Sequence, residues 1–330
     1  MNRIRVPHRP ARLAALLWIW PCVLAGCLSI TPSSGYTPLA EISIQVDEPL
    51  VLPLLSGEVP IVQACFPGRS AAAELGIRMV VDTGAEASLL SRAAAEHMGL
   101  TIGKYRGASH IEGSAGGSRE VTHYVAIDVM QLGDLQIERF YLSLVESEAF
   151  EAFNFDGVLG QDLLVQLASV FDMERRELTL LPTGIQEQEI TEFIRARQDL
   201  NGIWRGEPID FRPRPFVKFH LLQGQDRIPV ELLIDTGATH TSMPQPICDL
   251  LGPPLGLRMK MGLDGRYQAK TYGLSNFPLC GFTIGGEVVG SRQEYGLLGM
   301  DILGDFVLIL NGPAKAFLVH HRRIAPNPNR

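Results

Sequence analysis

An internal repeat constrains the fold of this chain more than any other feature of the sequence. Residues 77–90 and residues 230–243 each contain a run of aliphatic residues that leads into Asp-Thr-Gly-Ala. Further along, residues 157–164 and residues 296–303 share the pattern Gly-aliphatic-Leu-Gly-x-Asp. Because the two pairs occur in the same order at domain-sized separations, the sequence predicts a duplicated fold.

Strand patterns surround both copies of the repeat. An alternating segment precedes each aliphatic run, and a hairpin pattern follows each Leu-Gly-x-Asp. With 33 glycines and 22 prolines among 330 residues, the chain favours tight turns between short strands. We therefore predict an all-β protein made of two homologous halves. The predicted strand segments are 59–66, 215–222, 170–181 and 306–319, and the few short helices that fit are 91–98, 162–167 and 246–251.

The N-terminal residues have the pattern of an export signal. Four arginines precede an apolar run from Leu13 to Gly26, which at 14 residues is short for a membrane span of about 20. The run ends at Leu24-Ala25-Gly26-Cys27, which resembles the lipobox of bacterial lipoproteins. An ordinary signal peptide or an uncleaved anchor is the alternative.

The lipobox resemblance implies that residues 1–26 are removed and that Cys27 becomes the lipidated first residue. The acyl chains would then anchor the protein to a membrane of the bacterial cell envelope. Leu28 stands where a retention signal for the inner membrane would usually be Asp, so the resemblance favours the outer membrane, facing the periplasm.

Charge and cysteine content narrow the classes of partner. Without residues 1–26, 25 basic residues face 36 acidic ones, a formal charge of −11, which argues against nucleic-acid partners.

Cys65, Cys248 and Cys280 remain in the mature chain, and we predict a possible disulfide between Cys248 and Cys280, with buried free thiols as the alternative. The histidines do not cluster and metal-ligand spacings are missing, so we predict no metal and no cofactor.

The duplicated Asp-Thr-Gly-Ala resembles the aspartic proteases, and among them the retropepsin-like branch, over about residues 50 to 322. The resemblance implies a bilobal acid-protease fold in which two β-barrel-like lobes, here joined in one chain, each donate one loop to a shared cleft. Asp82 and Asp235 would then be the catalytic pair. Leu159-Gly160 and Leu298-Gly299 match the family's supporting motif, and one chain suffices for one site.

The residue types of the motif suit this chemistry. Two carboxyl groups side by side cannot both ionise cheaply, so the pair shares a proton and can act as acid and base together. Thr83 and Thr236 would brace the loops through hydroxyl hydrogen bonds, and Gly84 and Gly237 would let the two backbones approach. The resemblance implies attack of a water on a peptide carbonyl without a covalent intermediate. Asp162 and Asp301, also duplicated, are predicted N-caps of short helices.

The residues after each motif are candidates for the substrate cleft. Ala85 and Ala238 cannot donate a side-chain hydrogen bond to the catalytic pair, so we expect the shared proton to persist towards neutral pH. Glu86 and Thr239 differ in charge, which predicts an asymmetric substrate. Hairpins at 107–122 and 259–271 are either flaps over the substrate or ordinary surface hairpins. Their cleft candidates are Ile111, Glu112, Leu263 and Asp264.

The domain boundaries follow from the repeat and from composition. The predicted segments are a signal peptide at 1–26, a tether at 27–55, lobes at 56–184 and 209–322, a linker at 185–208 and a tail at 323–330. The sequence therefore predicts a membrane-anchored aspartic endopeptidase acting on a peptide or protein. A peptide-binding lipoprotein without turnover, or a dormant enzyme whose segment 29–55 covers the cleft, remain alternatives.

Overall fold

The structure is a computed structural model that describes residues 31–32, 44–68, 76–112, 118–197, 204–223, 226–263 and 265–321. The predicted signal peptide at 1–26, the lipidation site Cys27 and the tail at 323–330 lie outside these residues. Asp264 and the side chain of Glu112 also lie outside them.

The predicted all-β fold is confirmed, because strands dominate the chain and the helices are short. No helix in the described ranges is long and apolar enough to cross a membrane. The strands are β1 Thr31–Pro32, β2 Leu50–Pro53, β3 Ile61–Ala64, β4 Ile77–Val81, β5 Leu89–Ser91, β6 Ile102–Glu112, β7 Ser118–Leu132, β8 Leu135–Val145, β9 Gly157–Leu159, β10 Ala168–Asp172, β11 Glu177–Leu181, β12 Trp204–Pro208, β13 Asp210–Phe211, β14 Pro215–Gln223, β15 Asp226–Ile234, β16 Ser242–Pro244, β17 Gly256–Gly262, β18 Gly265–Leu279, β19 Phe282–Ser291, β20 Gly296–Leu298, β21 Phe306–Asn311 and β22 Ala316–His321. The helices are α1 Arg92–His97, α2 Glu148–Phe153, α3 Gln161–Leu164, α4 Glu187–Ala196, α5 Gln245–Leu250 and α6 Met300–Leu303.

Two eight-stranded sheets repeat one pattern, and we call them the first lobe and the second lobe. The first has the order β1-β6-β7-β8-β5-β9-β4-β3, and the second has the order β13-β14-β15-β20-β16-β19-β18-β17. In each lobe the strand that leads into Asp-Thr-Gly lies parallel to the strand that ends in Leu-Leu or Val-Leu, β4 beside β9 and β15 beside β20. Both faces of these central strands are covered, which explains their almost continuous aliphatic sequence.

A third sheet of six strands joins the lobes, in the order β12-β22-β21-β10-β11-β2. Its centre is the antiparallel pairing of β10 with β21, one strand from each of the two repeated hairpins. Helix α4 covers one side of this sheet and buries Ile190 against Val170 and Ile309. The predicted linker at 185–208 therefore contains a packed amphipathic helix and β12, which pairs with β22.

Residues 44–55 do not form the extended tether that we predicted. Strand β2 is the edge of the joining sheet, where it pairs with β11, and Ile44, Val46 and Leu52 are buried. Pro49 before β2 and Pro53 at its end suggested a tether, but an edge strand tolerates proline because one row of its backbone groups needs no partner. Nearer the N-terminus, β1 pairs with residues Ser109 and His110 of β6.

The predicted disulfide between Cys248 and Cys280 is wrong, because both cysteines are buried free thiols. Helix α5 carries Cys248 and packs at the C-terminal end of β19, where Gln245 approaches Gly290. Cys280 lies before the N-terminal end of the same strand. Eight residues of strand separate these ends by about 26 Å, whereas a disulfide joins Cα atoms about 6 Å apart.

Candidate active site

The two Asp-Thr-Gly loops begin where β4 and β15 end. The backbone N–H of Asp82 donates to the carbonyl of Leu159 at 3.0 Å, and the N–H of Asp235 donates to the carbonyl of Leu298 at the same distance. Each Leu-Gly strand therefore fixes the point at which the neighbouring strand turns. This matched pairing places the two aspartates at equivalent ends of the two lobes.

Thr83 and Thr236 hold the loops together across the lobes. The hydroxyl of Thr83 donates to the carbonyl of Ile234 at 2.7 Å and accepts from the N–H of Thr236 at 3.1 Å. The hydroxyl of Thr236 donates to the carbonyl of Val81 at 2.6 Å and accepts from the N–H of Thr83 at 3.1 Å. Both threonines are buried, so these four bonds fix the distance between the loops without competition from water.

The glycines of the motif leave room for the opposite carboxyl group. A Cβ on Gly84 would lie 2.5 Å from the Cγ of Asp235, and a Cβ on Gly237 would collide with the carboxyl group of Asp82. Each aspartate thus occupies the space that a side chain of the other loop would need. Glycine is required here for close approach and not for an unusual backbone angle.

Asp82 and Asp235 are close enough for their carboxyl groups to share a hydrogen bond. Burial raises the pKa of both groups, and the charge of Asp82 raises the pKa of Asp235 further. Backbone N–H groups oppose the rise: Gly84 and Ala85 donate to Asp82 at 2.8 and 3.0 Å, and Ala238 donates to Asp235 at 2.9 Å. A carboxyl pair of this kind keeps one proton between its members and can take and give protons at one bond.

The second pair of repeated aspartates supports the loops, and neither aspartate is the N-cap residue of its helix. Gly160 and Gly299 are the N-caps of α3 and α6, so the predicted cap role of Asp162 and Asp301 is wrong. Asp162 accepts from the N–H and hydroxyl of Ser88 at 2.9 and 2.6 Å. Asp301 accepts from the N–H and hydroxyl of Thr241 at 2.8 and 2.7 Å.

Burial raises the pKa of these supporting carboxyl groups, as it does for Asp82 and Asp235. It raises the pKa of Asp162 to about 6 and also raises the pKa of Asp301, where the charge of Lys260 works against the rise. Each aspartate ties the chain beyond the catalytic loop to the Leu-Gly strand, because Ser88 and Thr241 also accept from the N–H groups of Gly160 and Gly299.

A cavity of about 150 Å³ opens on Asp82 and Asp235. Of the predicted cleft residues, Ala238, Thr239 and Leu263 line it. Ala85 and Ile111 are instead buried in an apolar cluster of the first lobe, against which Leu263 packs. Glu86 is half-buried and outside the lining of the cavity.

The hairpin of β17 and β18 reaches across this cavity to the first lobe. Leu263 lies at its turn, and Arg266, the second residue of β18 after the turn, pairs with Glu148 of α2 at 3.3 Å. The cavity beneath it is smaller than the volumes of about 300 to 1,000 Å³ that hold small ligands. The hairpin therefore leaves little open space above Asp82 and Asp235.

Several residues of the site escaped the sequence analysis. Lys260, His240 and Tyr267 line the cavity from the second lobe, and Phe153 lines it from α2. Alternation along β17 and β18 would have placed Lys260 and Tyr267 on one face, since the two residues are cross-strand partners. Arg214 is a further case: it is buried beside Tyr295, and its charge lowers the pKa of both catalytic carboxyl groups.

Within the described ranges, no group of three or more His, Cys, Asp or Glu side chains is arranged to hold a metal ion. The site consists of two carboxyl groups, backbone donors and a largely apolar wall.

The strand order, the paired loops and the shared carboxyl site define an all-β fold of the aspartic protease class. The family model described as aspartyl protease matches residues 69–163, which include the first Asp-Thr-Gly loop and Leu159-Gly160. This match supports an aspartic protease family for the chain and, in general, a peptide hydrolase. None of the curated proteins that were compared matches the chain.

Proposed function

We propose that the chain is a membrane-anchored aspartic endopeptidase with Asp82 and Asp235 as its catalytic pair. The observation that carries the proposal is the close pairing of two carboxyl groups in loops that the threonine hydroxyls fix against each other. Since both aspartates come from one chain, a monomer suffices for one active site. The substrate is a peptide or protein, and the acidic mature chain disfavours nucleic acid.

The chemistry proposed for the pair is a direct attack of water on a peptide carbonyl. One carboxylate takes a proton from the water while the oxygen of that water bonds to the carbonyl carbon. The protonated carboxyl group of the pair gives its proton to the carbonyl oxygen. The C–N bond of the tetrahedral diol then breaks. The nitrogen receives a proton from the pair, and one hydroxyl of the diol returns a proton to the pair as it becomes the new carbonyl. The shared proton belongs to both groups, so the roles of acid and base are not assigned to single residues.

Membrane attachment through Cys27 is the second part of the proposal. The sequence around Cys27 supports lipidation in the bacterial cell envelope, and Leu28 supports the outer membrane with the protein facing the periplasm. Metabolic labelling with palmitate is expected to mark the wild-type chain and not Cys27→Ser. Label on the Cys27→Ser chain would contradict the assignment.

A dormant or purely peptide-binding form of the same lipoprotein is the second candidate. Two observations favour it: Leu263 packs on the first lobe above a small cavity, and β1 adds a strand to β6 beside the first hairpin. A chain that binds peptides without cleaving them, before and after removal of the segment that contains β1, would support this candidate.

Cleavage of a diverse peptide library across about pH 4 to 7.5 tests the proposed activity. The protein is the fragment beginning at Leu28, compared with Asp82→Asn and Asp235→Asn in the same fragment. We expect cleavage by the wild type and loss in both variants. Equal cleavage by all three proteins would contradict the proposal, since the activity would then come from other residues.

A further inference from the structure

The cavity above the catalytic pair is chemically asymmetric. Apart from Asp82, the described residues of the first lobe that line it are apolar, among them Val59, Val80 and Phe153. The second lobe adds Lys260, His240 and Tyr267. Among the described residues, the titratable side chains that line the cavity besides Asp82 and Asp235 therefore come from one side of the cleft.

Lys260 faces the cleft because of the alternation of β17. Leu257 and Met259 lie on the outer face of this strand, with 64% and 62% of their surfaces exposed. Successive strand residues point to opposite faces, so Lys260 lies on the inner face beside its cross-strand partner Tyr267. Its side chain is half-buried, and desolvation lowers its pKa to about 8. Lys260 still carries a positive charge at neutral pH.

The charge of Lys260 is available to a ligand. In the part of the chain that the structure describes, no carboxylate lies within 4.0 Å of its Nζ, the limit for an ion pair. Asp301, Asp235 and Glu58 are near enough to favour the charged form. Asp301, however, is bonded to Thr241, and Asp235 belongs to the catalytic pair.

The other basic groups of this wall are occupied or neutral. Desolvation, together with the charges of Lys260 and Arg258, lowers the pKa of His240 to about 4, so its ring is neutral near pH 7. The Nδ1 of His240 lies 2.7 Å from the hydroxyl of Thr239, and Arg258 pairs with Glu287 at 3.5 Å. Lys260 is thus the cation that a substrate group would meet in this cavity.

We propose that Lys260 forms a carboxylate-binding subsite in the cleft and that the enzyme selects peptides with Asp or Glu on the second-lobe side of the scissile bond. The apolar wall of the first lobe selects an apolar side chain on the other side. This inference rests on the proposed peptidase function and adds a substrate class to it. An ammonium group that meets a carboxylate in a partly desolvated site forms a strong hydrogen bond.

The test compares peptides that differ only by Glu or Gln at each position near the scissile bond. The full chain in detergent is assayed as wild type, Lys260→Met and Lys260→Glu, with Lys270→Gln as the control because Lys270 is exposed on the outer face of the same hairpin. At one position the wild type and the control should prefer Glu in kcat/KM by about tenfold. Lys260→Met should lose this preference, and Lys260→Glu should prefer Lys at that position.

Cleavage without any preference for Glu, or a preference that persists in Lys260→Met, would overturn the subsite and leave the peptidase function standing. If the wild type cleaves no peptide, the proposed function fails separately. The subsite is then tested by measuring, with fluorescence anisotropy, how tightly the same peptides bind to the Asp82→Asn chain. Tighter binding of the Glu peptide that Lys260→Met abolishes would support the subsite, and equal binding of both peptides would overturn it.

Discussion

The two lobes agree closely around the catalytic loops and diverge in the walls above them. Thr83 and Thr236 make matching hydrogen bonds across the lobes, and Gly84 and Gly237 approach the opposite carboxyl group in the same way. The supporting aspartates repeat as well, each bound to a hydroxyl residue of its own lobe. The duplicated part of the molecule is therefore the frame that places two carboxyl groups together.

The divergent part is the surface that a substrate would meet. Where the first lobe has Glu86 and Ala87 after its motif, the second has Thr239 and His240. The hairpin of β6 and β7 has five residues between the paired ends Glu112 and Ser118, whereas the hairpin of β17 and β18 has two between Gly262 and Gly265. The difference teaches that the two halves share the frame around the aspartates and differ in the walls of the cavity above them.

Among changes that leave both carboxyl groups in place, the largest expected effect comes from the motif glycines, because an added methyl group at either collides with the carboxyl group of the opposite loop. Gly84→Ala and Gly237→Ala should each lower kcat/KM at least about a hundredfold, since small displacements of reacting groups cost that much. Peptide cleavage is the measurement, and Gly286→Ala, with no atom within 4 Å of its added Cβ, is the control. Full activity in one of the two variants would break the proposed equivalence of the lobes.

The threonines should have equal effects on stability. Thr83→Val and Thr236→Val each remove a buried hydroxyl that makes two bonds to the other lobe. We expect a loss of about 2 to 4 kcal/mol in the free energy of unfolding, because each change leaves a buried N–H and a buried carbonyl without these bonds. Urea unfolding measures the loss, with the exposed Thr283→Val as control. Clearly unequal losses would show that one loop is held by other contacts.

The two supporting aspartates, Asp162 and Asp301, should contribute differently to the pH dependence of the unfolding free energy. The pKa of Asp162 in the folded chain is about 6, above the ordinary value of 3.8, so the folded state binds its proton more tightly than the unfolded state. The stability from this proton is complete below about pH 4 and is lost as the pH rises through about 6. In Asp162→Asn, the free energy of unfolding should therefore decrease less between about pH 4 and pH 6 than it does in the wild type.

Asp301→Asn should change the same slope less, because the charge of Lys260 opposes the rise of the pKa of Asp301. Urea unfolding at several pH values compares the wild type with both variants. A slope that is the same in the wild type and in Asp162→Asn would contradict the assignment of the proton to Asp162.

The smallest expected effect is a shift of the pH profile in Ala238→Ser. A serine hydroxyl at this half-buried position can donate to the carboxylate of Asp235, which lowers the pKa of the pair. The alkaline limb of the pH profile of kcat/KM should shift to lower pH by on the order of one unit. Ala85→Ser is the companion variant, and it should instead lower stability, since Ala85 is buried in an apolar cluster. An unchanged or higher alkaline limb in Ala238→Ser would count against the role assigned to alanine.

The fold was predictable where the sequence repeats or alternates. The strands that lead into the motifs follow from their aliphatic runs, and the strands before them follow from alternation. Helices α1, α3 and α5 lie where the sequence placed short helices. Helices α2 and α4 were missed. The joining sheet was also missed, because the pairing of β10 with β21 depends on contacts between distant segments that carry no local signal.

The candidate site was predictable as chemistry and much less so as geometry. The Asp-Thr-Gly residues could be named because their types repeat, and the structure brings all six together. The side chains of the walls could not, because Lys260 reaches the cavity only through the register of a hairpin that also needs a neighbouring lobe. The error at Asp162 has a similar cause, since its partner Ser88 is far away in sequence.

The most direct test of the central claim is whether Asp82 and Asp235 act as one unit. The cleavage rate is measured for the wild type, Asp82→Asn, Asp235→Asn and the double variant, with circular dichroism to establish that each is folded. We predict that each single variant loses at least about a thousandfold in kcat and that the double variant loses no more than either, because groups that act together are non-additive. A single variant that keeps most of the activity, or losses that multiply in the double variant, would contradict a shared catalytic pair.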